Sequence, residues 1–413
     1  MNPYLIFILT VLLLGYLLNL VVTTLELRSL DLDLPREFSD LYSTDKYRES
    51  QQYTRATSRF SLVHDTFGLL VTLTFILAGG FNQVDLAARS FELGPIATGL
   101  VFTAILSLLM TVIGLPFSIY STFVIEERFG FNKTTPKTFV LDLMKTMVLA
   151  VCIGGPLLAA VLWFFQSAGA AAWLYCWLAV TVFILIIQFL APVVIMPLFN
   201  KFIPLAEGGL KEAITDYARQ QQFAIQGIYT MDGSKRSTRL NAFFTGFGRF
   251  RRIVFFDTLI DKLETGEIVA VLAHEMGHFK KKHIFKMMGG SILQMGVMFY
   301  ILSLFLGNRL LFDAFSMEHI SIYAGLIFFG FLYSPISTLL SIVFNLFSRK
   351  HEYEADAWAV TTTGSGTDLI SGLKKLSLHN LSNLTPHPLN VFLNYSHPPV
   401  LQRIRTIQTV SDK

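Results

Sequence analysis

Apolar residues are concentrated in seven long runs that are separated by polar segments. These runs extend over about Tyr4–Leu25, Leu62–Gly80, Ile96–Ile119, Phe139–Phe165, Ala172–Phe199, Phe285–Leu306 and Tyr323–Leu346. A helix of about 20 apolar residues crosses a bilayer, and it satisfies its own backbone hydrogen bonds where water is absent. The pattern therefore predicts an all-α multi-pass membrane protein with seven transmembrane helices.

The first run could also be read as a cleaved signal peptide. However, no basic region precedes it, and no small-residue cleavage site follows it. It is also long enough to cross the membrane. We therefore expect it to be retained as the first span, which puts the two termini on opposite sides of the membrane.

Composition agrees with this prediction. Of the 413 residues, 53% are hydrophobic and only 15% are charged, whereas soluble proteins carry about 25% charged residues. The two cysteines, Cys152 and Cys176, lie in apolar runs, so neither a disulfide framework nor a cysteine-based metal site is expected. The net charge of +4 is small and gives no indication of a nucleic-acid partner.

Basic residues are concentrated in alternate polar segments. Those after runs one, three and five contain Arg28, Arg36, Lys46, Arg48, Arg55, Arg59, Arg128, Lys133, Lys137, Lys235, Arg236, Arg239, Arg251, Arg252 and Lys280–Lys282. The opposite side offers only Arg89 and Arg309. Cytoplasmic loops carry an excess of Lys and Arg. We therefore expect the N-terminus outside and segments 200–284 and 347–413 in the cytoplasm, at a bacterial inner membrane or the endoplasmic reticulum membrane.

Several ionisable or polar residues fall inside or at the ends of the apolar runs: His64, Asp65, Asp142, Lys145 and Gln188. Ionisable groups are costly in lipid, so they should face a bundle interior or a water-filled space. Asp142 and Lys145 are three residues apart on a predicted helix and could pair with each other. The sequence is compatible with either arrangement for Asp142 and Lys145: an ion pair with each other, or side chains that line a cavity.

The strongest chemical signal is the sequence His274-Glu275-Met276-Gly277-His278. On a helix the two histidines are one turn apart, so both imidazoles can bind one zinc ion. Glu275 can then act as the general base on a water at the ion. The competing interpretation is a helix with two incidental histidines.

A catalytic zinc takes a third protein ligand and keeps one open position. The best candidate is Glu352, with Asp356 one turn later orienting a ligating histidine. His351 and Glu354 are rivals on spacing alone. The competing interpretation is a charged, solvated helix face.

At these residues the chain resembles the type I CAAX prenyl proteases, seven-span membrane zinc peptidases that process prenylated precursors. Further matching segments are Leu34–Pro35, Lys46–Tyr47, Ser50–Tyr53, Leu115–Ser118, Glu126–Lys133, Met196–Phe202, Ser234–Ser237, Asn241–Gly246, Arg252–Leu259 and Tyr395–Pro399. The resemblance implies a helical barrel around a water-filled chamber, capped by a zinc peptidase domain.

The resemblance also assigns roles by position. It implies that His274, His278 and Glu352 are the zinc ligands and that Glu275 is the catalytic carboxylate. Asn241 and His397 match residues that hold the substrate backbone and stabilise the oxyanion. Arg403 matches a basic residue near the same site.

We therefore divide the chain into spans one to five (1–199), the first part of a zinc peptidase domain (200–284), spans six and seven (285–346), and the second part of that domain (347–413). The first part contains amphipathic helical patterns and a β-prone run, Arg252–Phe256.

The expected function is hydrolysis of peptide bonds in prenylated or other membrane-associated polypeptides, with one Zn²⁺ per chain. A heat-shock-type membrane peptidase for quality control is the alternative enzyme. A transporter or channel with an incidental His-Glu-x-x-His is the alternative of another class.

Overall fold

The structure is a computed structural model that describes residues 2–30, 33–245 and 252–411. Gly246 and Arg251, which the sequence analysis used, lie outside the described residues. The helices are α1 (Pro3–Arg28), α2 (Thr44–Leu77), α3 (Gly80–Arg89), α4 (Pro95–Tyr120), α5 (Pro136–Leu149), α6 (Gly155–Ser167), α7 (Ala172–Leu190), α8 (Met196–Phe199), α9 (Gly209–Gln220), α10 (Asp257–Ile260), α11 (Thr265–Lys280), α12 (His283–Phe305), α13 (Arg309–Asp313), α14 (Ile322–Thr363), α15 (Thr367–His379), α16 (Pro388–Asn394) and α17 (Val400–Ser411). The strands are β1 (Phe202–Pro204), β2 (Gly227–Met231), β3 (Ala242–Thr245) and β4 (Arg252–Phe256).

All seven predicted spans lie in helices that are long and apolar enough to cross a membrane. Spans one, two, six and seven are formed by α1, α2, α12 and α14. Span three is α4 with the π-helical turn Ser121–Glu126, and span four is α5 and α6 joined by the π-helical turn Ala150–Gly154. In span five the π-helical turn Ala191–Ile195 joins α7 to α8. The mostly helical, seven-span prediction is confirmed.

Neighbouring spans contact each other in chain order, and the last span returns to the first. Tyr16 of span one bonds Thr66 of span two at 2.8 Å, and Trp177 of span five donates to the Ile292 carbonyl of span six at 2.8 Å. Spans one, three, four and seven meet in a cluster of buried side chains: Ile8, Phe102, Leu162 and Phe328. The helices thus form a closed ring, the arrangement expected of a barrel around a chamber.

Span seven does not end where its apolar run ends. The helix α14 has 42 residues, which corresponds to about 63 Å, roughly twice the hydrocarbon thickness of a bilayer. The apolar run that predicts span seven ends at Leu346, where polar and charged residues begin. The helix nevertheless continues, because no glycine or proline lies between Leu346 and Gly364, whose positive φ of 75° ends it.

The segments outside the membrane add a small sheet to the helical fold. Its strand order is β1-β2-β4-β3, with a parallel pair β2–β4 and antiparallel pairs β1–β2 and β3–β4. The β-prone run Arg252–Phe256 is strand β4. Strand β3, which directly follows Asn241, is the last strand in this order.

Residues from both polar segments share one hydrophobic core. It contains Ile253 and Phe255 of β4, Leu272 of α11, Ala359 of α14 and Ile407 of α17. The two parts therefore pack together although spans six and seven separate them in the chain. The division of the chain into domains remains our interpretation.

Two ionic contacts connect this core to the membrane helices. Arg236 forms a fork with Asp142 of span four, at 2.7 and 2.9 Å. Lys145 lies 3.9 Å from Asp142 and instead donates to the Leu198 carbonyl at 2.7 Å. Arg236, rather than the Lys145 considered from sequence, is thus the main partner of Asp142.

The second contact lies close to Asn241. Arg239 contacts both carboxylate oxygens of Glu126 at 3.0 Å, and Tyr53 donates to the same carboxylate at 2.6 Å. These residues belong to spans two and three and to the loop before β3. The loop that carries Asn241 is thereby attached to the membrane helices.

Helix α11, which carries the His-Glu-x-x-His motif, begins at a capping box. Glu267 accepts from the Glu264 backbone N–H at 2.8 Å, from Ser371 at 2.6 Å and from Lys375 at 2.9 Å. Burial acts to raise the pKa of Glu267, but Lys375 and Ser371 outweigh it and lower the pKa below the usual 4.5. The charged form of Glu267 therefore stabilises the fold.

We expect Glu267→Ala to destabilise the protein by about 3 kcal/mol, because it leaves Lys375 without its buried partner. Glu267→Gln, which keeps hydrogen-bonding capacity, should cost less. A carboxylate with a lowered pKa stabilises above its unfolded pKa, and this contribution is lost as the pH falls through the folded value. The thermal midpoint of wild type should thus fall more than that of Glu267→Gln below about pH 4.5. Parallel pH profiles would contradict the assignment.

Candidate metal centre

His274 and His278 project from one side of α11 into a largely buried site. Their Nε2 atoms are 3.2 Å apart, and their side chains are 8% and 19% exposed. One turn of helix separates the two residues, which puts both imidazoles on the same face. They thus present a pair of nitrogen ligand atoms to one point.

Gly277 allows a second helix to come close to these histidines. A Cβ atom at this position would lie 3.0 Å from the Ala355 Cα and 3.1 Å from Trp358, both on α14. A side chain here would push α11 and α14 apart. The close approach brings Glu352 of α14 within reach of the two imidazoles.

The three side chains form a compact ligand set. Glu352 Oε1 lies 3.2 Å from His278 Nε2, and Glu352 Oε2 lies 3.4 Å from His274 Nε2. Ligands held about 2.0–2.2 Å from one zinc ion in tetrahedral geometry are about 3.3–3.6 Å apart. The observed spacing fits three ligands of one such ion with the fourth position open.

A buried polar atom points to the same fit. Glu352 Oε2 is buried and accepts no hydrogen bond within the described part of the chain. Three carboxylates, Glu275, Glu352 and Asp356, face one guanidinium, Arg403. With neutral imidazoles the local charge is three minus one, or two negative charges, which a divalent cation would neutralise.

Asp356 orients His274 by contacting the ring nitrogen that faces away from the other ligands. Its Oδ1 lies 2.8 Å from His274 Nδ1, while Arg403 donates to its two oxygens at 2.9 and 2.6 Å. When His274 Nδ1–H donates a hydrogen bond to Asp356, the Nε2 lone pair is free for the metal. This carboxylate–histidine arrangement is the one expected from sequence.

The electrostatics of the site favour positive charge. Burial and the Arg403 guanidinium act to lower the pKa of His274, but Asp356 and Glu352 outweigh them and raise it to about 9. Burial also acts to lower the pKa of Arg403, but Asp356 and Glu352 raise it above its usual value. Both shifts show that these carboxylates stabilise a cation at this point.

The ligand set opens on a cavity of about 380 Å³ that the other candidate residues line. Asn241, Glu275 and His397 all face it. His397 Nε2 lies 3.4 Å from Glu352 Oε1, with the side chain 66% exposed at the mouth. The structure thus brings together residues from four parts of the chain: the loop before β3, α11, α14 and the C-terminal segment.

The rival ligands lie elsewhere. His351 and Glu354 are outside the group of converging ligand atoms and contact His283 instead, by ring stacking and at 3.0 Å respectively. His283 is a residue that sequence analysis missed. Its only sequence signal is its position five residues after His278.

Comparison with known proteins gives two matching family models. Residues 24–201 match the CAAX prenyl protease N-terminal model, with five membrane helices, and residues 204–411 match peptidase family M48. The chain belongs to the CAAX prenyl proteases of peptidase family M48. Family M48 enzymes are metallopeptidases, so this membrane protein is a metal-dependent protease.

Individual family members match along nearly the whole chain. CAAX prenyl protease 1 of Saccharomyces cerevisiae is 35% identical over 92% of this chain and 89% of its own length. The Oryza sativa homologue is 34% identical, covering 100% and 99%. The crystal structure of Saccharomyces mikatae Ste24p superposes with a TM-score of 0.93 at 34% identity, covering 98% of this chain and 99% of that chain.

These family members decide between the functions considered from sequence. The match to membrane proteases over the full chain does not favour the heat-shock-type alternative, and it sets aside a transporter or channel with an incidental motif. The chambered seven-helix barrel expected from sequence agrees with the Ste24p superposition.

Proposed function

We propose that the protein is a zinc endopeptidase that binds one Zn²⁺ per chain through His274, His278 and Glu352. The observation that carries this proposal is the convergence of three side chains: the two Nε2 atoms are 3.2 Å apart, and the two Glu352 oxygens lie 3.2 and 3.4 Å from His278 and His274 respectively. When bound, zinc would polarise the scissile carbonyl and lower the pKa of a water molecule to about 7.

Glu275 is the proposed general base. It lies between the two histidines in sequence and faces the same cavity. From there its carboxylate takes a proton from the attacking water and later gives it to the leaving amine. Its half-buried position beside the cavity supports both transfers.

Asn241 and His397 are the proposed groups that hold the substrate. Both line the cavity. In the chain, Asn241 precedes the three proposed ligands and His397 follows them. An amide N–H and an imidazole N–H there can donate to the oxygen that becomes negative during attack. Strand β3 follows Asn241 directly, and its position at the end of the sheet suits backbone pairing with an extended peptide.

The proposed substrates are prenylated polypeptides, since the relatives are named CAAX prenyl proteases. We further propose that the N-terminus lies outside and the catalytic segments face the cytoplasm, as the distribution of basic residues predicts. The membrane would be that of the endoplasmic reticulum or a bacterial inner membrane.

The assigned base is tested with Glu275→Gln. We expect a loss of about 10²–10⁴-fold in kcat, because general base catalysis contributes that much, with the zinc content unchanged at one per chain. His274→Ala should lose zinc as well as activity. Zinc is measured by atomic emission and hydrolysis with a quenched fluorescent peptide.

The matched control is Glu212→Gln, an exposed carboxylate of α9 in the same segment. It should leave kcat and zinc content unchanged. A Glu275→Gln enzyme that retains zinc and cleaves at the wild-type rate would refute the assigned role.

The substrate class is tested with one CAAX peptide made with and without an isoprenyl group on its cysteine. We expect kcat/KM to be at least about tenfold higher for the prenylated peptide, equivalent to about 1.4 kcal/mol. The protein is assayed in lipid vesicles. Equal kcat/KM for both peptides would contradict a requirement for the prenyl group and leave the peptidase assignment intact.

A further inference from the structure

A chain of hydrogen bonds begins at the second ligand histidine and leads away from the metal. His278 Nδ1 lies 3.1 Å from His283 Nδ1, and His283 Nε2 lies 3.0 Å from Glu354 Oε2. His283 is 2% exposed and begins α12, while Glu354 belongs to α14. Three helices thus meet along one line of polar atoms.

Only one placement of protons satisfies every contact with neutral rings. His278 must keep its Nε2 lone pair for the metal, so its proton is on Nδ1 and is donated to His283 Nδ1. His283 then carries its own proton on Nε2 and donates it to Glu354. The carboxylate therefore selects the tautomer of His283, which in turn selects the tautomer of His278.

The arrangement is the counterpart of the Asp356 contact at the other ligand. His274 is oriented directly by Asp356 at 2.8 Å, whereas His278 is oriented by a carboxylate acting through a second imidazole. The His351 ring stacks on His283 with centroids 4.0 Å apart and an interplanar angle of 9°. This stacking holds the His283 ring in the plane that both hydrogen bonds require.

We propose that His283 and Glu354 form a positioning relay that fixes the ring orientation of the metal ligand His278. The proposal rests on the proposed role of His278 as a ligand. Removing the outer hydrogen-bond partner of a ligating histidine typically weakens metal affinity ten- to a hundredfold.

The test is the affinity for Zn²⁺ alone, measured by competition with a chelator on the full-length protein in detergent. His283→Phe should weaken zinc binding about ten- to a hundredfold. Glu354→Ala should weaken it less, and Glu354→Gln, whose carbonyl still accepts from His283, should restore most of the loss. His351→Phe keeps a stacked ring and should bind zinc as wild type does.

Two further measurements separate positioning from folding. The visible spectrum of the Co²⁺-loaded protein should change in His283→Phe and Glu354→Ala, although their thermal midpoints in the absence of metal resemble wild type. The double variant should bind zinc no more weakly than His283→Phe, because the two residues act in series. Wild-type affinity and an unchanged spectrum in His283→Phe would overturn the relay, whereas failure of wild type itself to bind zinc would overturn the proposed function.

A separate observation concerns a groove between spans six and seven. It has a volume of about 650 Å³ and is lined by apolar residues, including Leu293, Val297, Val343 and Phe347. Lys286 and Lys350 lie at the end nearest the catalytic segments. From Lys286 to Val297 the helix rises about 16 Å, close to the hydrocarbon thickness of one leaflet.

The groove faces away from the catalytic cavity. Glu352 and Asp356 project toward the metal site, and residues two positions away on a helix point to nearly the opposite side. The groove and the catalytic cavity accordingly share no lining residue, so we treat the groove as separate from the path of the substrate. The carboxylate of Glu354 lines the same end and contacts both His283 at 3.0 Å and Lys350 at 3.9 Å. Two lysines face this single carboxylate, so this end of the groove keeps a net positive charge for another anion.

We infer that this groove binds one anionic phospholipid, with an acyl chain along the apolar walls and the phosphate between Lys286 and Lys350. Basic residues near a membrane surface attract anionic lipid by about fivefold in affinity each. Native mass spectrometry of the detergent-solubilised protein with added phosphatidylserine or phosphatidylcholine measures this directly. Wild type should retain one phosphatidylserine per chain in preference to phosphatidylcholine.

The Lys286→Gln/Lys350→Gln variant should lose that preference. The matched control Lys281→Gln/Lys282→Gln removes the same charge from exposed lysines of the loop before α12 and should keep it. Leu293→Trp fills the groove and should reduce retention with both lysines present. Equal retention of the two lipids by wild type, or an unchanged preference in the first variant, would overturn the inference.

Discussion

One helix has to cross the membrane and also deliver a proposed metal ligand. Glu352 must reach within 3.2–3.4 Å of two imidazoles, yet it lies on the same continuous helix as span seven. The position of the ligand is therefore fixed by how α14 sits in the barrel. Gly277 makes this possible on the other side, since a side chain there would collide with Ala355. The candidate metal site thus lies at the junction of a membrane helix and a helix outside the membrane.

Burying this much negative charge makes the site dependent on its cations. Glu352 and Asp356 are 5% and 1% exposed, and desolvated carboxylates are costly unless they are paired. Arg403 neutralises one of them through its fork on Asp356. The remaining charge is left for the metal, so metal binding and the stability of the catalytic core are coupled. This is why Arg403, which lies 3.2 Å from His274 Nδ1 but is not itself a proposed metal ligand, belongs to the centre.

The spans, the motif helix and the proposed third ligand, Glu352, could all be predicted from the sequence, because each has a local signal. Apolar length marks a span, and spacing of one helical turn marks the histidines and the pair Glu352 and Asp356. The continuity of α14 could not be predicted, since the change from apolar to charged residues at Leu346 resembles the end of a helix. Strands β1–β3 were missed because they are three to five residues long. The contacts Arg236–Asp142 and His283–Glu354 were missed because they join residues distant in the chain.

Long-range ionic contacts explain how a substrate site can be assembled from segments that the membrane spans separate. Arg236 and Arg239 are fixed by Asp142 and Glu126 of the membrane helices, at 2.7–3.0 Å. Asn241 follows two residues after Arg239, so the start of β3 is placed relative to spans three and four. The C-terminal segment with His397 is held in turn by α14, where Arg349 donates to the Val391 carbonyl at 3.0 Å. The two sides of the cavity, one carrying Asn241 and the other His397, are therefore attached to different spans of the same barrel. A change in how the spans pack would alter the distance between these two sides, and a peptide must fit between them.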